Sequence, residues 1–297
     1  MRTEWPLAHL YLRAGLMEFS ADQFGLLTRM RPAMRPAVLD AVWSGGIEPG
    51  LIASRVVPPE SGALGEYLCY LARRGEWEEL LPAAETLSPA GRMRVPPGML
   101  RYVFDKLFFA GRGDIYRRLW MRAGQPVAGD GALGDSLSDE GFGLQWVHTA
   151  VPGVRVSSTG QAGQSGSIDL DFEKPSNLHY RHLWRDFLVS ASTDYLVEAE
   201  VRAQEIESSE GVRLAIVSRA GLLEESAPAR GTFGWKKISL RFRSGSADQV
   251  LRLMVVRYPS QKLNRFLSGR FHLRGARVRA VSGQELLDQN FINVAPG

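Results

Sequence analysis

The period of the hydrophobic pattern changes once along this 297-residue chain, and that change limits the possible folds more than any other feature. Up to about Gly124 the apolar residues recur at helical spacing, as in Tyr67, Leu68 and Leu71 and then Trp77, Leu80, Leu81, Ala84 and Leu87. Prolines at 32, 36, 58, 59, 82, 89, 96 and 97 fall mostly between helices, and Pro82 must occupy a first turn or kink its helix. Further on the period is two: 167–173, 195–201, 212–217, 237–243, 250–256 and 271–281, with a weaker strand at 154–156 and a long one over 177–189. About eight strands with no helical pattern between them predict an antiparallel β-sandwich of the jelly-roll kind. The stretch from Gln125 to Asp135 is built of small and turn-forming residues and reads as the boundary. The expected organisation is a helical domain over 1–124, a glycine-rich linker over 125–137, a jelly roll over 138–282 and a tail over 283–297.

A single cysteine, Cys69, excludes an internal disulfide and a cysteine-based zinc site, and its apolar neighbours make it a buried helix residue. No run approaches the roughly 18–20 apolar residues that span a bilayer, so no membrane span is expected. The start carries charges and a histidine, which argues against a secretory signal. The segment from Trp5 to Leu12 reads as a helix already in progress, as in the C-terminal part of something longer. On its own this leaves the compartment open.

Three helix-turn-helix units align weakly on Gly15, Gly75 and Gly111, the last two 36 residues apart. This half resembles a degenerate tetratricopeptide array, a fold that presents a concave surface to a partner protein. An irregular helical bundle packed on the next domain fits the same residues.

The second half resembles the carbohydrate-binding jelly rolls related to the galactose-binding fold over about 136–282. The residues that carry this are Gly141 to Trp146, Ser167 to Phe172, Asn177 to Tyr180, and Ser192 to Ala203 with its Tyr-x-x-x-Ala strand. Helical repeats followed by such a jelly roll are similar to tetratricopeptide proteins of bacterial exopolysaccharide or O-antigen gene neighbourhoods. The resemblance implies a part in handling a surface polysaccharide and, for a fragment, an envelope or periplasmic location. Many members hold a structural calcium through acids near the first and last strands. Here Arg274, Arg277 and Arg279 stand in the last strand, which argues against that calcium without deciding it; the residues point to no other metal and to no cofactor.

Catalytic motifs are scarce. Gly163 to Ser167 misplaces the second glycine of a nucleophile elbow and leads into a strand, so it reads as a hairpin loop. The glycines at 160, 163 and 166 have no following helix to lend its N-terminus to a phosphate. His179 and His182, three apart in a strand, face opposite ways and do not make a metal site. Asp169 and Asp171 share a face, either as a carboxylate pair for a glycan-active enzyme or as the wet side of a strand.

Aromatic rings are the other signal, because sugars stack on flat apolar faces. Trp146, Tyr180, Trp184, Trp235, Tyr258 and Phe266 are candidates, the last three at predicted turns. Tyr180, His182 and Trp184 share strand parity and form the preferred ligand surface, with Arg181 and Arg185 as alternates if the parity is reversed.

Charge is segregated behind a net +4. Residues 230–279 hold thirteen Lys or Arg and one acid, Asp248, while residues 135–229 hold seven basic and fifteen acidic side chains. Alternation sets Lys237, Arg241 and Arg243 opposite Ile238, Leu240 and Phe242, and His272 and Arg274 opposite Phe271 and Leu273. Arg241, Arg243 and Arg274 are thus candidate ligands for an acidic polymer, unless they pair with the acidic half of the same sandwich. No nucleic-acid-reading motif accompanies them, and nucleic acid is not expected as a partner. The sequence therefore predicts a non-catalytic polysaccharide-binding protein whose helices dock a protein partner, with a pure protein scaffold as the alternative.

Overall fold

The computed structural model describes residues 4–87, 95–123, 131–133, 137–138, 145–159 and 166–281. Most of the predicted linker, the predicted tail and the predicted loop of glycines 160 and 163 lie outside these residues. The chain divides into two compact units, 1–125 and 126–297. No helix among the described residues is long and apolar enough to cross a membrane.

The first unit is helical: α1 (Glu4–Arg13), α2 (Met17–Met30), α3 (Arg35–Ser44), α4 (Pro49–Leu51) running into a π-turn (Ile52–Val56), α5 (Ser61–Arg74), α6 (Leu80–Leu87), α7 (Pro97–Ala110) and α8 (Gly113–Arg122). Pro82 stands in the first turn of α6, where its missing N–H costs no helical hydrogen bond. The helices form four consecutive hairpins, because α1, α3, α5 and α7 all stop in the same way. Gly15, Gly46, Gly75 and Gly111 take φ of +73°, +76°, +79° and +73°, a left-handed conformation that suits glycine. At each, the glycine N–H bonds the carbonyl three residues back and the next N–H the carbonyl five residues before it, as in Leu16 to Tyr11 and Ile47 to Val42.

The weak repeat in the sequence is therefore a repeated stop signal. The stop at Gly46 splits the long interval between Gly15 and Gly75. First helices pack on first helices (α3 on α5, α5 on α7), and the second members pack in the order α2, π-turn, α6, α8. Small residues let the layers approach: a Cβ on Gly25 would stand 2.0 Å from the Arg55 carbonyl oxygen, and one on Gly65 2.4 Å from Met99 Sδ.

The second unit is a β-sandwich. Its strands are β1 (Gly131–Ala132), β2 (Leu137–Ser138), β3 (Trp146–His148), β4 (Val154–Ser158), β5 (Ile168–Ser176), β6 (Tyr180–Val189), β7 (Asp194–Ile206), β8 (Arg213–Ser218), β9 (Gly221–Glu225), β10 (Gly231–Arg243), β11 (Gln249–Arg257) and β12 (Leu267–Ala280). The first sheet runs β10-β7-β12-β5-β4 with β1 on β12, and the second β2-β3-β6-β11-β8-β9. All pairings are antiparallel except β2 with β3. From β5 to β12 the chain crosses between sheets at nearly every connection, the jelly-roll habit. Ile168, Leu170 and Phe172, Val197 to Ala203 at alternate positions, and Phe271 and Leu273 pack onto Leu183, Phe187, Leu214, Ile216, Leu251, Leu253 and Val255 of the other sheet. β9 is a strand the alternation did not predict, because Gly-Leu-Leu-Glu-Glu has no period of two.

One end of the sandwich is tied by a buried cation. The Arg257 guanidinium, fully out of solvent, donates to Asn177 Oδ1 (3.0 Å) and Ser208 Oγ (3.2 Å) and to the carbonyls of Leu178 and Arg265. Burial lowers its pKa from the usual arginine range, against a smaller opposing effect of Glu210. Three connections, β5–β6, β7–β8 and β11–β12, are held by that one side chain.

Candidate functional site

Sheet order decides what becomes of the segregated charge. The acidic strand β7 lies between the basic strands β10 and β12, and acidic β5 lies between β12 and β4. The outer face of the first sheet is consequently a lattice of cross-strand pairs. Arg274 Nε donates to Glu200 Oε2 at 2.7 Å and Arg277 Nε to Glu198 Oε2 at 2.9 Å, while Lys237 takes the other Glu198 oxygen. Arg243 meets Asp194 at 3.2 Å, Arg270 meets Asp171 at 3.4 Å, and Arg155 meets Glu173. A register shift between Arg274 and Arg277, with Gly275 at φ +59°, returns Arg277 to the same face as Arg274.

The predicted basic face is thus corrected in part. Arg243 and Arg274 are matched by carboxylates on the neighbouring strand, and Arg241 lies half-buried beside Leu196 on the same face. Exposed pairs of this kind contribute ~0–1 kcal/mol each. Their larger effect here is to hold side chains upright. Glu198 is the exception, being buried: burial pushes its carboxyl pKa up, but the hydrogen bond and charge of Lys237, with those of Arg277, outweigh this and keep it below the usual carboxylate value.

One aromatic ring stands in this lattice. Trp235, placed at a turn by its sequence, lies within β10, next to the register shift between Phe233 and Lys236. The Arg274 guanidinium lies 4.0 Å from the Trp235 ring centre, and the His272 ring lies 6.3 Å away at 64°. His272 Nδ1 is 2.7 Å from Asp169 Oδ1 and its Nε2 is 3.2 Å from Gln204 Oε1; the Ser167 hydroxyl donates to the same Asp169 oxygen at 2.8 Å. A half-buried indole thus has a guanidinium and an imidazole beside it, Arg274 held in turn by Glu200 and His272 by Asp169 and Gln204. The position of Trp235 escaped the sequence reading because the bulge in β10 breaks its alternation, and Glu200 and Gln204 because strand neighbours cannot be read from sequence order.

The preferred surface of Tyr180, His182 and Trp184 does not form. Tyr180 is fully buried in the main core, its ring 5.9 Å from Phe172, and its hydroxyl has no hydrogen-bond partner among the described residues. The cause is a bulge: Val255 pairs with Leu183 but Arg257 pairs with Tyr180, so the shared parity of 180, 182 and 184 is broken between Tyr180 and Leu183. His182 is half-buried, and burial, then His179 and Arg181, lower its pKa.

Trp184 is 9% exposed, on the outer face of the second sheet in a cluster with Val147, Ala215, Met254 and Val256. The Arg252 guanidinium lies 5.4 Å from its ring centre and also donates to Asp186. Of the alternates, Arg185 is buried and Arg181 is exposed. Tyr258 is occupied as well, between His179 and Arg213, its hydroxyl donating to Glu225 at 2.9 Å.

Asp169 and Asp171 do share the outer face, and each is engaged by a partner of its own, the His272 imidazole and the Arg270 guanidinium. No three His, Cys, Asp or Glu side chains among the described residues are grouped to hold a metal ion.

No family model matches the chain, and no curated protein matches its sequence. Solved structures similar to it include one described as CBM4 structure and function, 10% identical, covering 46% of this chain and 86% of that one at a TM-score of 0.32. Another is the carbohydrate-binding module CBM6cm-2 from Cellvibrio mixtus lichenase 5A in complex with cellotriose, at 15% identity, 46% and 92% coverage and a TM-score of 0.29. A third is the CBM22-1 xylan-binding domain from Paenibacillus barcinonensis Xyn10C, at 15% identity, 53% and 99% coverage and a TM-score of 0.33.

Proposed function

We propose that the protein binds a polysaccharide on the outer face of the first sheet without acting on it, and that its helical unit docks a protein partner, in bacterial exopolysaccharide or surface-glycan assembly. The observation that carries the reading is Trp235, propped by Arg274 among fixed donors and acceptors. The CH-rich side of a pyranose stacks on such a ring. Neighbouring carboxylate and guanidinium groups such as Glu200 and Arg274 suit the hydroxyls of a sugar, which both donate and accept. The assembly setting rests on the resemblance of the two-part sequence.

Because Arg243, Arg270, Arg274 and Arg277 each face a carboxylate, a neutral polymer is favoured over an acidic one. The separate engagement of Asp169 by His272 and of Asp171 by Arg270 supports the non-catalytic reading. The test is calorimetry of the full chain with neutral and uronate-containing polysaccharides at two salt concentrations, beside an assay for new reducing ends. Salt-insensitive binding of a neutral polymer, lost in Trp235→Ala and without bond cleavage, is the expected result. Salt-sensitive binding of the uronate polymer alone would restore the acidic ligand, and binding of neither overturns the reading.

The second reading is a protein scaffold whose jelly roll keeps only its fold. The burial of Tyr180 and Trp184 favours it, since neither ring is presented to a ligand.

A further inference from the structure

The first described hairpin of the helical unit has an unusual outer face. In a stack of hairpins each member buries its face on the next, and the terminal member needs a polar outer face to stay solvated. Here the first hairpin does the opposite. On α2, Phe19 is 60%, Leu26 40% and Met30 52% exposed. At about 100° per residue these three fall within roughly 40° of one another, a single stripe about 16 Å long.

Leu10 and Leu16 are exposed at the turn beside it, and the Tyr11 ring lies 5.7 Å from that of Phe19. The far side of α2 faces the second hairpin: Gly25 lies against Arg55, and Thr28 Oγ1 donates to the Val56 carbonyl at 2.6 Å. The stripe therefore points away from the stack, where a preceding hairpin would sit.

Charge on α2 indicates what covers it. Glu18 lies in the first turn and Arg29 in the last, both exposed, and both flank the stripe on the same side. Two copies of α2 packed antiparallel about a two-fold axis bring equivalent flanks together, so Glu18 of each copy meets Arg29 of the other and Phe19 meets Met30. A parallel two-fold pairing instead puts equivalent flanks on opposite sides of the seam, where Glu18 and Arg29 do not meet. We propose that a second copy of this chain covers the face, α2 against α2 in antiparallel register, giving a two-fold dimer through the first described hairpins. The inference is independent of the glycan reading, because none of its residues belongs to the sandwich.

The experiment is sedimentation equilibrium of the full chain and of three variants at exposed positions, each checked by circular dichroism for unchanged helix content. A dimer is expected whose dissociation constant rises at least about tenfold in Leu26→Glu, which sets a charge in the apolar stripe. Glu18→Arg is expected to weaken it, and Glu18→Arg combined with Arg29→Glu to restore it. A monomer at all accessible concentrations overturns the proposal, as does a dimer indifferent to Leu26→Glu. Failure of the double variant to recover what Glu18→Arg loses overturns the antiparallel register.

Discussion

Arg274 does two things at once: its guanidinium stacks 4.0 Å from the centre of the Trp235 ring, and its Nε donates to Glu200 Oε2 at 2.7 Å. The ring is held by a side chain that is itself held by the adjacent strand. Cation–π stacking at an exposed site contributes ~0.5–1 kcal/mol. That is enough to fix an orientation and too little to bury the ring.

This relationship separates two substitutions. Trp235→Ala is expected to abolish measurable polysaccharide binding. Arg274→Ala, which keeps the ring and removes its support, is expected to weaken binding about three- to fivefold, the size of the lost stacking energy. Calorimetry on both full-length variants checks the order, and equal losses would overturn the ring as the main contact.

Glu198 predicts a pH dependence with a defined sign. Its folded pKa is depressed below the value of 4.5 for an unperturbed group, because Lys237 and Arg277 outweigh the cost of burial. The stabilisation it supplies is fully present above that ordinary value and is lost as pH falls through the lower folded one. Urea unfolding between neutral and acid pH is expected to show a decline that Glu198→Gln makes shallower, with lower stability for the variant at neutral pH.

Arg257→Met removes the donor that four oxygens of three connections share. Hydrogen bonds to charged groups contribute ~1.5–3 kcal/mol, and an acceptor left buried and unpaired costs ~1–3 kcal/mol. A loss of about 3 kcal/mol or more is expected on that basis. Thermal unfolding reads it as a lower Tm, and accelerated hydrogen exchange is expected first in 177–179, 207–210 and 258–266.

Two glycines of the helical unit test different physics. At Gly46, φ is +76° and nothing lies within 4 Å of a new Cβ, so Gly46→Ala pays only for a left-handed alanine, ~1 kcal/mol. At Gly25 the new Cβ would meet the Arg55 carbonyl oxygen, so Gly25→Ala must spread two helical layers and is expected to cost more, ~1–3 kcal/mol. Denaturant midpoints with unchanged slopes measure both.

What the sequence disclosed and what it hid have separable causes. Alternation read the inner residues of β5 and β10 correctly, since Ile168, Leu170 and Leu240 all face the core. It failed in β6 because the bulge between Tyr180 and Leu183 shifts the register by one residue, and the buried Arg185 further blurs which face is wet. The helical stops at Gly15, Gly75 and Gly111 were visible as a motif. Gly46 was not, because Ala41 to Gly45 share with the others only an apolar pair, Val42 and Trp43, and the backbone conformation they end in. The charge imbalance was real in the chain and neutralised in space, since strand order in the first sheet differs from sequence order.

The position of β12 has a consequence for how the molecule is made. It is the last of the described strands in chain order, yet it lies between β7 and β5 in the middle of the first sheet. During synthesis those two strands emerge and wait, each with an open edge, until Leu267 to Ala280 have left the ribosome. Pairings between residues as distant as Asp169 and His272 close late and slowly. A nascent chain halted before Leu267 therefore carries two unpartnered edges suited to joining a neighbouring chain, and its solubility at that stage depends on how fast the final strand arrives.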